Sequence, residues 1–530
     1  MNRSVCCAIF LLACSTGLSQ EFNEHTADGM PWTLREFYTF PNRGAELDYA
    51  VNNGEWRIRQ GDTALVEGMR LSITLGDGTV ITPGDLLRGK GERKDIEDDL
   101  GKGKTYATTF PAVHDLEIRH EITFYERYPF PVFHLSVKNV GQGTVPIRKL
   151  VVAGTTEYAR LSSQPSFSGL AARGPKVSTL RMVTYGGHVL CEQDGAPTLW
   201  FFEGTGSESI NFAMGLLTNT AADAALEFQT LGGAWEGEAR STYDPPKKLS
   251  PGESLKATPL AVLYGAYTPE EFATYYAYAL RCTAQTKPVL SEMYAYATLE
   301  EGSWNDIQKL AAAWKNEGVR YVLIPSNWES RSGSRQGGVG YPRNMSEAAA
   351  ALRKTGTSVG LWVNPLAVMG GKAEFTAKTA DGRTFVNPSV AAGRKYAEEQ
   401  LQPLVAAGFS FFVVPRHPLP KEILSAFNLT QEEACTLALA AAASTGIPAY
   451  PEAGNISSLQ ALNLPAVRDT LKAIHVQQIP VAPLRLTEKA LNEAGNVDAE
   501  VLTFAPLEIV GEPTPAIGHL LKALSKGGNP

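Results

Sequence analysis

Aromatic, amide, basic and acidic side chains recur directly after short apolar runs in the second half of this 530-residue chain. Pro325-Ser326-Asn327-Trp328-Glu329 follows one run and Trp362-Val363-Asn364-Pro365 closes the next. Pro415-Arg416-His417 follows a third run and Tyr450-Pro451-Glu452 ends a fourth, with Arg485, Glu508 and Glu512 at later ones. Trp and Tyr rings stack on the C–H faces of a pyranose, while amides, guanidinium groups and carboxylates bond its hydroxyls. Trp328, Trp362, Asn364, Arg416, His417, Tyr450 and Glu452 are therefore candidate sugar contacts. Glu452, with Glu329 or Glu512, offers carboxylates that could serve as an acid and a nucleophile or base.

No metal or cofactor is expected. The eight histidines contain no His-x-x-x-His pair, and no Cys-x-x-Cys occurs. Gly103-Lys104-Thr105 has the ending of a phosphate-binding loop, but Asp98 stands where its first glycine belongs and the surroundings read as strands.

The elements that must position these residues alternate. From residue 266 on, helical and apolar strand patterns succeed one another. The helix Tyr267 to Arg281 has Thr268 and Glu271 as a capping box; a second, capped by Ser303, places Ile307, Leu310 and Trp314 on one face and stops at Gly318. Ser346 to Lys354 and Ser389 to Ala407, the latter with Pro403, read as further helices, and Thr430 with Glu433 opens an Ala-rich one. Strands are predicted at 289–294, 319–324, 359–363, 409–414, 447–450, 457–462, 479–484 and 507–510. Eight such alternations predict a (β/α)8 barrel, in which function lies at the C-terminal ends of the strands. Residues 35–265 differ: Leu116 to Phe124 and Val132 to Lys138 alternate with period two, and Asn53-Gly54, Asp77-Gly78 and Asp194-Gly195 mark turns. That pattern predicts a large antiparallel β-sandwich with one buried and one wet face per sheet. The expected organisation is a leader at 1–20, a sandwich at 21–265, a linking helix at 266–286 and a barrel at 287–530.

Composition narrows the classes. A hydrophobic fraction of 44% and a charged fraction of 19% describe a globular chain. A net charge of −7 without a basic run speaks against nucleic acid as a partner. The first three of the six cysteines, Cys6, Cys7 and Cys14, fall in the leader; Cys191, Cys282 and Cys435 are too sparse for a disulfide framework, though one bridge is open to them. Arg3 followed by the apolar run Val5 to Ala13 and small residues reads as an export signal, too short to span a membrane. Cleavage near Gln20 or acylation of Cys14 in Leu11-Leu12-Ala13-Cys14 would give a secreted, periplasmic or lipid-anchored surface protein. No later stretch is long enough for a transmembrane helix.

Tyr341-Pro342, Leu352, Gly356 and Gly360-Leu361-Trp362-Val363-Asn364-Pro365 come in an order and spacing that resemble the alpha-galactosidase clan of glycoside hydrolases, including the raffinose-family galactosidases. Gly318-Val319-Arg320-Tyr321-Val322-Leu323-Ile324 leading to Trp328 resembles the family's second barrel strand, and Val467-Arg468-Asp469-Thr470-Leu471 the helix after its sixth. The resemblance covers residues 260–515 by motif and the sandwich by general character. It implies a sandwich, a linking helix and a (β/α)8 barrel acting on sugars by a retaining mechanism. The family ends its second strand in Ile-Asp-Asp-Gly-Trp, where this chain has Pro325 and Ser326. Its fourth strand carries the nucleophile in Lys-x-Asp; here Val413-Val414-Pro415 stands there, and Leu462 falls at the acid/base position. The expected function is thus an exported, alpha-galactosidase-like protein, catalytically degenerate and glycan-binding. Two alternatives stay open: an active glycosidase using Glu452 with Glu329 or Glu512, and a structural envelope protein with a closed barrel mouth.

Overall fold

The computed structural model describes residues 37–155, 168–217, 222–282, 295–455, 484–487 and 507–527, with short gaps inside several of these ranges. The leader with Cys14, the strands expected at 289–294 and 457–462, Cys191 and Leu462 lie outside the described residues.

Two antiparallel sheets form the first half. One runs in the order Phe37–Asn42, Ala45–Ala50, Trp56–Gln60, Thr63–Leu75, Val145–Thr155, Ala234–Leu249, Asp223–Leu231. The other runs from Lys176–Arg181 through Ser168–Arg173, Leu199–Glu203, Asn211–Leu216, Leu260–Gly265, Pro131–Asn139, Leu116–Tyr125 and Gly101–Val113 to Lys90–Asp98. The predicted alternation in Leu116–Tyr125 is real: Leu116, Ile118, His120 and Ile122 are buried between the sheets while Glu117 is exposed. Trp56 meets Phe133 there with ring centroids 4.9 Å apart.

The second sheet departs from the one-wet-face expectation. Val132 and Tyr125 join the barrel-side core while Phe133 and Ile122 join the sandwich core, so this sheet is dry on both faces at its centre. The layer that covers it includes the linking helix. Thr268 and Glu271 form the predicted capping box, each backbone N–H reaching the other's side chain at 2.9 and 3.2 Å. Phe272, Tyr276 and Ala279, at helical spacing, are buried against the sheet.

Eight parallel strands follow in the order Ala449–Pro451, Phe411–Val414, Ser358–Trp362, Tyr321–Ile324, Ala295–Thr298, Leu507–Val510, Leu484–Leu486, Gly454–Asn455. The two ends of that path are successive pieces of one run of chain, so the ladder returns to where it began, as in a closed barrel. The first barrel strand begins at Ala295 and the strand expected at 479–484 is found at Leu484–Leu486. Helices Trp304–Asn316, Met345–Lys354, Ala391–Ala407 and Gln431–Ala443 cover the outside. Ser303 and Thr430 cap two of them in reciprocal capping boxes. Gly318, Gly356 and Gly408 follow three of them with φ of 88°, 79° and 97°, the left-handed turn that glycine tolerates. Three elements were not anticipated: the short helix Lys421–Phe427, the helix Pro515–Gly527, and a small sheet of Ala367–Val368, Thr384–Val386 and Thr376–Lys378. Sandwich and barrel are tied together by Lys247, which reaches Glu433 at 2.8 Å, and by Asp244 with Lys421 at 2.8 Å. Among the described residues no helix is long and apolar enough to cross a membrane, and no three His, Cys, Asp or Glu side chains cluster as metal ligands.

His120 gives the sandwich an acid-sensitive point. It is fully buried beside Tyr49, whose hydroxyl lies 3.2 Å from Nδ1, and beside Phe133 and His134. Burial pulls its pKa from 6.5 down to about 4. Between those values the unfolded chain binds a proton that the folded chain refuses, so stability rises with pH across that window. Acidification from pH 6.5 to 4 is expected to remove about 3 kcal/mol through this residue alone. Urea titrations over pH 4–7 check this: His120→Gln should flatten the slope, and an unchanged slope would exclude His120 as its source.

Candidate functional site

Barrel strands buried on both faces read as continuous apolar runs, and only the structure separates the faces. Ala297, Val322, Ile324, Val359, Leu361, Phe412, Val414, Leu507 and Ile509 point outward, beneath the helices. Tyr296, Leu323, Phe411, Val413 and Tyr450 form a separate inner cluster, with Tyr321 and Trp362 packed against it. Phe411 is its centre, with ring centroids 5.4 Å from Tyr296 and 6.3 Å from both Tyr321 and Tyr450. Gly360 makes room for it: a Cβ there would fall 2.1 Å from the Phe411 ring. Branched aliphatic residues dominate most such interiors; this one is packed with aromatic rings.

Among the described residues, one carboxylate sits within the ring of strands. Glu508 is 3% exposed; it accepts from the Tyr296 hydroxyl at 2.9 Å and from Arg485 Nε at 2.7 Å. Burial, then the Glu508 charge, push the Tyr296 hydroxyl well above its ordinary pKa, so it remains a donor. The Arg485 guanidinium is one-third exposed and also lies 3.6 Å from Glu300, beyond the first strand. Arg485 and Glu508 stand out in the sequence as strand-end residues. Tyr296 does not, because the predicted first strand stopped at Tyr294; the Tyr-Ala-Tyr-Ala alternation of 294–297 was the available signal.

At the C-terminal ends of the strands, Trp362, Arg416 and Glu452 come together. The half-buried Trp362 indole N–H donates to Glu452 Oε1 at 2.9 Å, and the Arg416 backbone N–H donates to Oε2 at 3.2 Å. Arg416 Nε reaches the Glu452 carbonyl, also at 3.2 Å. His417 is exposed beside them. Asn364 braces its own loop, donating to the Pro418 carbonyl at 2.7 Å and accepting from the Leu366 N–H at 3.0 Å.

Two expected sugar contacts are corrected. Trp328 ends the turn Ser326–Trp328, is fully buried, and donates its indole N–H to the Trp362 carbonyl at 2.6 Å; it is a core residue. Tyr450 is 4% exposed and belongs to the inner aromatic cluster rather than the rim. Glu329 is likewise committed to structure. Its carboxylate accepts from the Gly333 and Arg335 backbone N–H groups at 3.1 and 3.0 Å and pairs with the Arg335 guanidinium at 3.1 Å. Arg335, at φ 55°, also donates to the Asn364 and Ala367 carbonyls at 2.9 Å, which knits the loops after the second and third strands. Glu512 is exposed beyond the last strand. Pro415 is buried directly after the fourth strand. Cys282 and Cys435 are both free thiols.

No family model matches the sequence, and no curated protein matches it. The fold has clear counterparts among solved structures. A variant of the GH36 alpha-galactosidase AgaA from Geobacillus stearothermophilus, determined with raffinose, superposes with a TM-score of 0.56 at 11% identity over 93% of this chain and 86% of that one. The alpha-galactosidase from Lactobacillus brevis gives 0.53 at 8% over 93% and 83%. The alpha-N-acetylgalactosaminidase NagBb from Bifidobacterium bifidum, in complex with GalNAc, gives 0.53 at 9% over 85% and 84%. Sandwich, linking helix and barrel together thus make up an alpha-galactosidase-like glycoside hydrolase fold.

Proposed function

We propose that the chain is an exported, carbohydrate-binding protein that uses a glycoside hydrolase fold without hydrolysing glycosides. The observation that carries this reading is the end of the fourth barrel strand. Phe411–Val414 runs into buried Pro415 and then into exposed Arg416 and His417, with no carboxylate among them. Retaining hydrolysis needs two carboxyl groups roughly 5–5.5 Å apart across the anomeric carbon. Most of the other candidate carboxylates are committed elsewhere: Glu329 is held by Arg335, Glu452 by Trp362 and Arg416, and Glu508 by Tyr296 and Arg485, which leaves exposed Glu512 beyond the last strand without a second free carboxylate among these candidates. Carbohydrate as the partner is supported by solved neighbours, among them AgaA variants determined with raffinose and with stachyose, and by the group of Trp362, Arg416 and Glu452. The aromatic packing around Phe411 favours a second reading, a scaffold protein whose barrel mouth is closed.

The test is turnover of an aryl α-galactoside by the purified chain, beside a titration with stachyose. No hydrolysis above background is expected, because a nucleophile and its acid/base act as a unit and their loss costs several orders of magnitude. Robust turnover abolished by Glu452→Gln would overturn the proposal. Absence of both turnover and binding would favour the scaffold.

A further inference from the structure

Among the described residues, the inner face of the second sheet is not covered along its whole length. Along Gly101–Val113, one face carries Lys102, Lys104, Tyr106, Thr108 and Phe110, and passes from exposed at the lysines, through half-buried Tyr106, to fully buried at Thr108 and Phe110. The described part of the covering sheet ends there. Its outermost described strand, Phe37–Asn42, lays Phe40 against Tyr106 and Phe124 with centroids 4.9 and 4.2 Å apart. Beyond Phe40 opens a groove of about 660 Å³. Its aromatic end is Phe40, Tyr106 and Phe124. Its wet walls are Asp95 and Glu97 from the edge strand Lys90–Asp98, directly opposite Lys104 and Lys102, with exposed Glu126 beside them.

We infer that this groove is a binding site for a neutral oligosaccharide, separate from the barrel. Three observations select that ligand. The aromatic floor is preformed by mutual packing, and such rings stack on sugar C–H faces. The lining carries three carboxylates, Asp95, Glu97 and Glu126, against two ammonium groups, and the Arg93 guanidinium lies 5.4 Å from the Tyr106 ring centroid, so the local charge is close to balanced and does not select a charged ligand, while acceptors and donors both face the space, which suits hydroxyls that donate and accept. Among the described residues the side chains of Asp95, Glu97, Lys102 and Lys104 enter no ion pair or hydrogen bond, unlike the carboxylates Glu329, Glu452 and Glu508 of the barrel. The volume falls within the roughly 300–1,000 Å³ of small-ligand sites. A peptide added as a strand along Lys90–Asp98 is disfavoured by the charges at Lys90, Glu92, Arg93, Lys94, Asp95 and Glu97, since charged edges oppose strand addition. The inference stands independently of the reading of the barrel.

Calorimetric titration of the full chain with cellotetraose, maltotetraose, xylotetraose and stachyose tests it. At least one is expected to bind, with affinity reduced about tenfold by Tyr106→Ala and by the double change Asp95→Ala with Lys104→Ala, and retained within about twofold by Tyr106→Phe. The charge variant alters only exposed side chains, so it remains informative if Tyr106→Ala fails to fold. Trp362→Ala at the barrel rim should weaken only a barrel site; the binding that the groove variants remove should persist in it. No binding by any of the four sugars, or binding lost in Trp362→Ala but kept in both groove variants, overturns the inference; the latter result leaves the carbohydrate reading of the barrel standing.

Discussion

Replacing Glu508 with alanine is expected to cost about 3–5 kcal/mol of stability, the range seen when one partner of a buried charged pair is removed. Glu508 is the acceptor for two donors that have different prospects once it is gone. Tyr296 is completely buried, and its hydroxyl would lose the carboxylate it donates to, a loss of about 1–3 kcal/mol by itself. Arg485 is one-third exposed and near Glu300, so it can recover part of its solvation. Urea denaturation of Glu508→Ala, Tyr296→Phe and the double variant measures this. The double variant should be less destabilised than the sum of the singles, because removing the hydroxyl removes the orphan. Glu512→Ala, on an exposed side chain, should change stability by less than about 0.5 kcal/mol. A loss below about 1 kcal/mol in Glu508→Ala would mean that the interior admits enough water to replace the carboxylate.

The same interior marks where sequence reasoning stops. Helix starts were legible because a capping box is local: Thr268 with Glu271 and Thr430 with Glu433 close within four residues, and the structure pairs them as the sequence suggests. The alternation in Leu116–Tyr125 was legible because the sandwich buries one side of it more than the other. Barrel strands carry no such signal. In Phe411–Val414 all four residues are apolar and buried, yet Phe411 and Val413 face the inside while Phe412 and Val414 face the helices. Tyr450 ends an apolar run, which in the sequence reads as a rim position, but position along a strand does not say which way a side chain points. The space that Gly360 leaves for Phe411 depends on two strands brought side by side, which no local pattern encodes. The groove at Tyr106 was equally hidden, since it lies where the described strands of the opposing sheet end, at Phe37–Asn42.

Trp328 is the residue on which a rim platform and a core anchor make opposite forecasts. A platform contributes to sugar affinity and little to stability; a buried indole does the reverse. Trp328 has no exposed surface, packs in the barrel-side core, and donates to the Trp362 carbonyl at 2.6 Å. Truncating a buried aromatic of this size forfeits its contacts and leaves a cavity, so Trp328→Ala is expected to cost about 3–5 kcal/mol. Part of that is the hydrogen bond, and Trp328→Phe, which keeps an aromatic ring but no N–H, isolates it at about 1–2 kcal/mol. The hydrogen bond also holds the backbone of Trp362, whose own indole reaches Glu452, so the loop after the second strand supports the rim through the third. Thermal unfolding with a parallel stachyose titration separates the cases. The expected result is a large fall in the midpoint for Trp328→Ala, with any affinity that the folded fraction of Trp328→Phe shows close to wild type. An unchanged midpoint with lost affinity would return Trp328 to the sugar-contact role and require the turn Ser326–Trp328 to open when sugar binds.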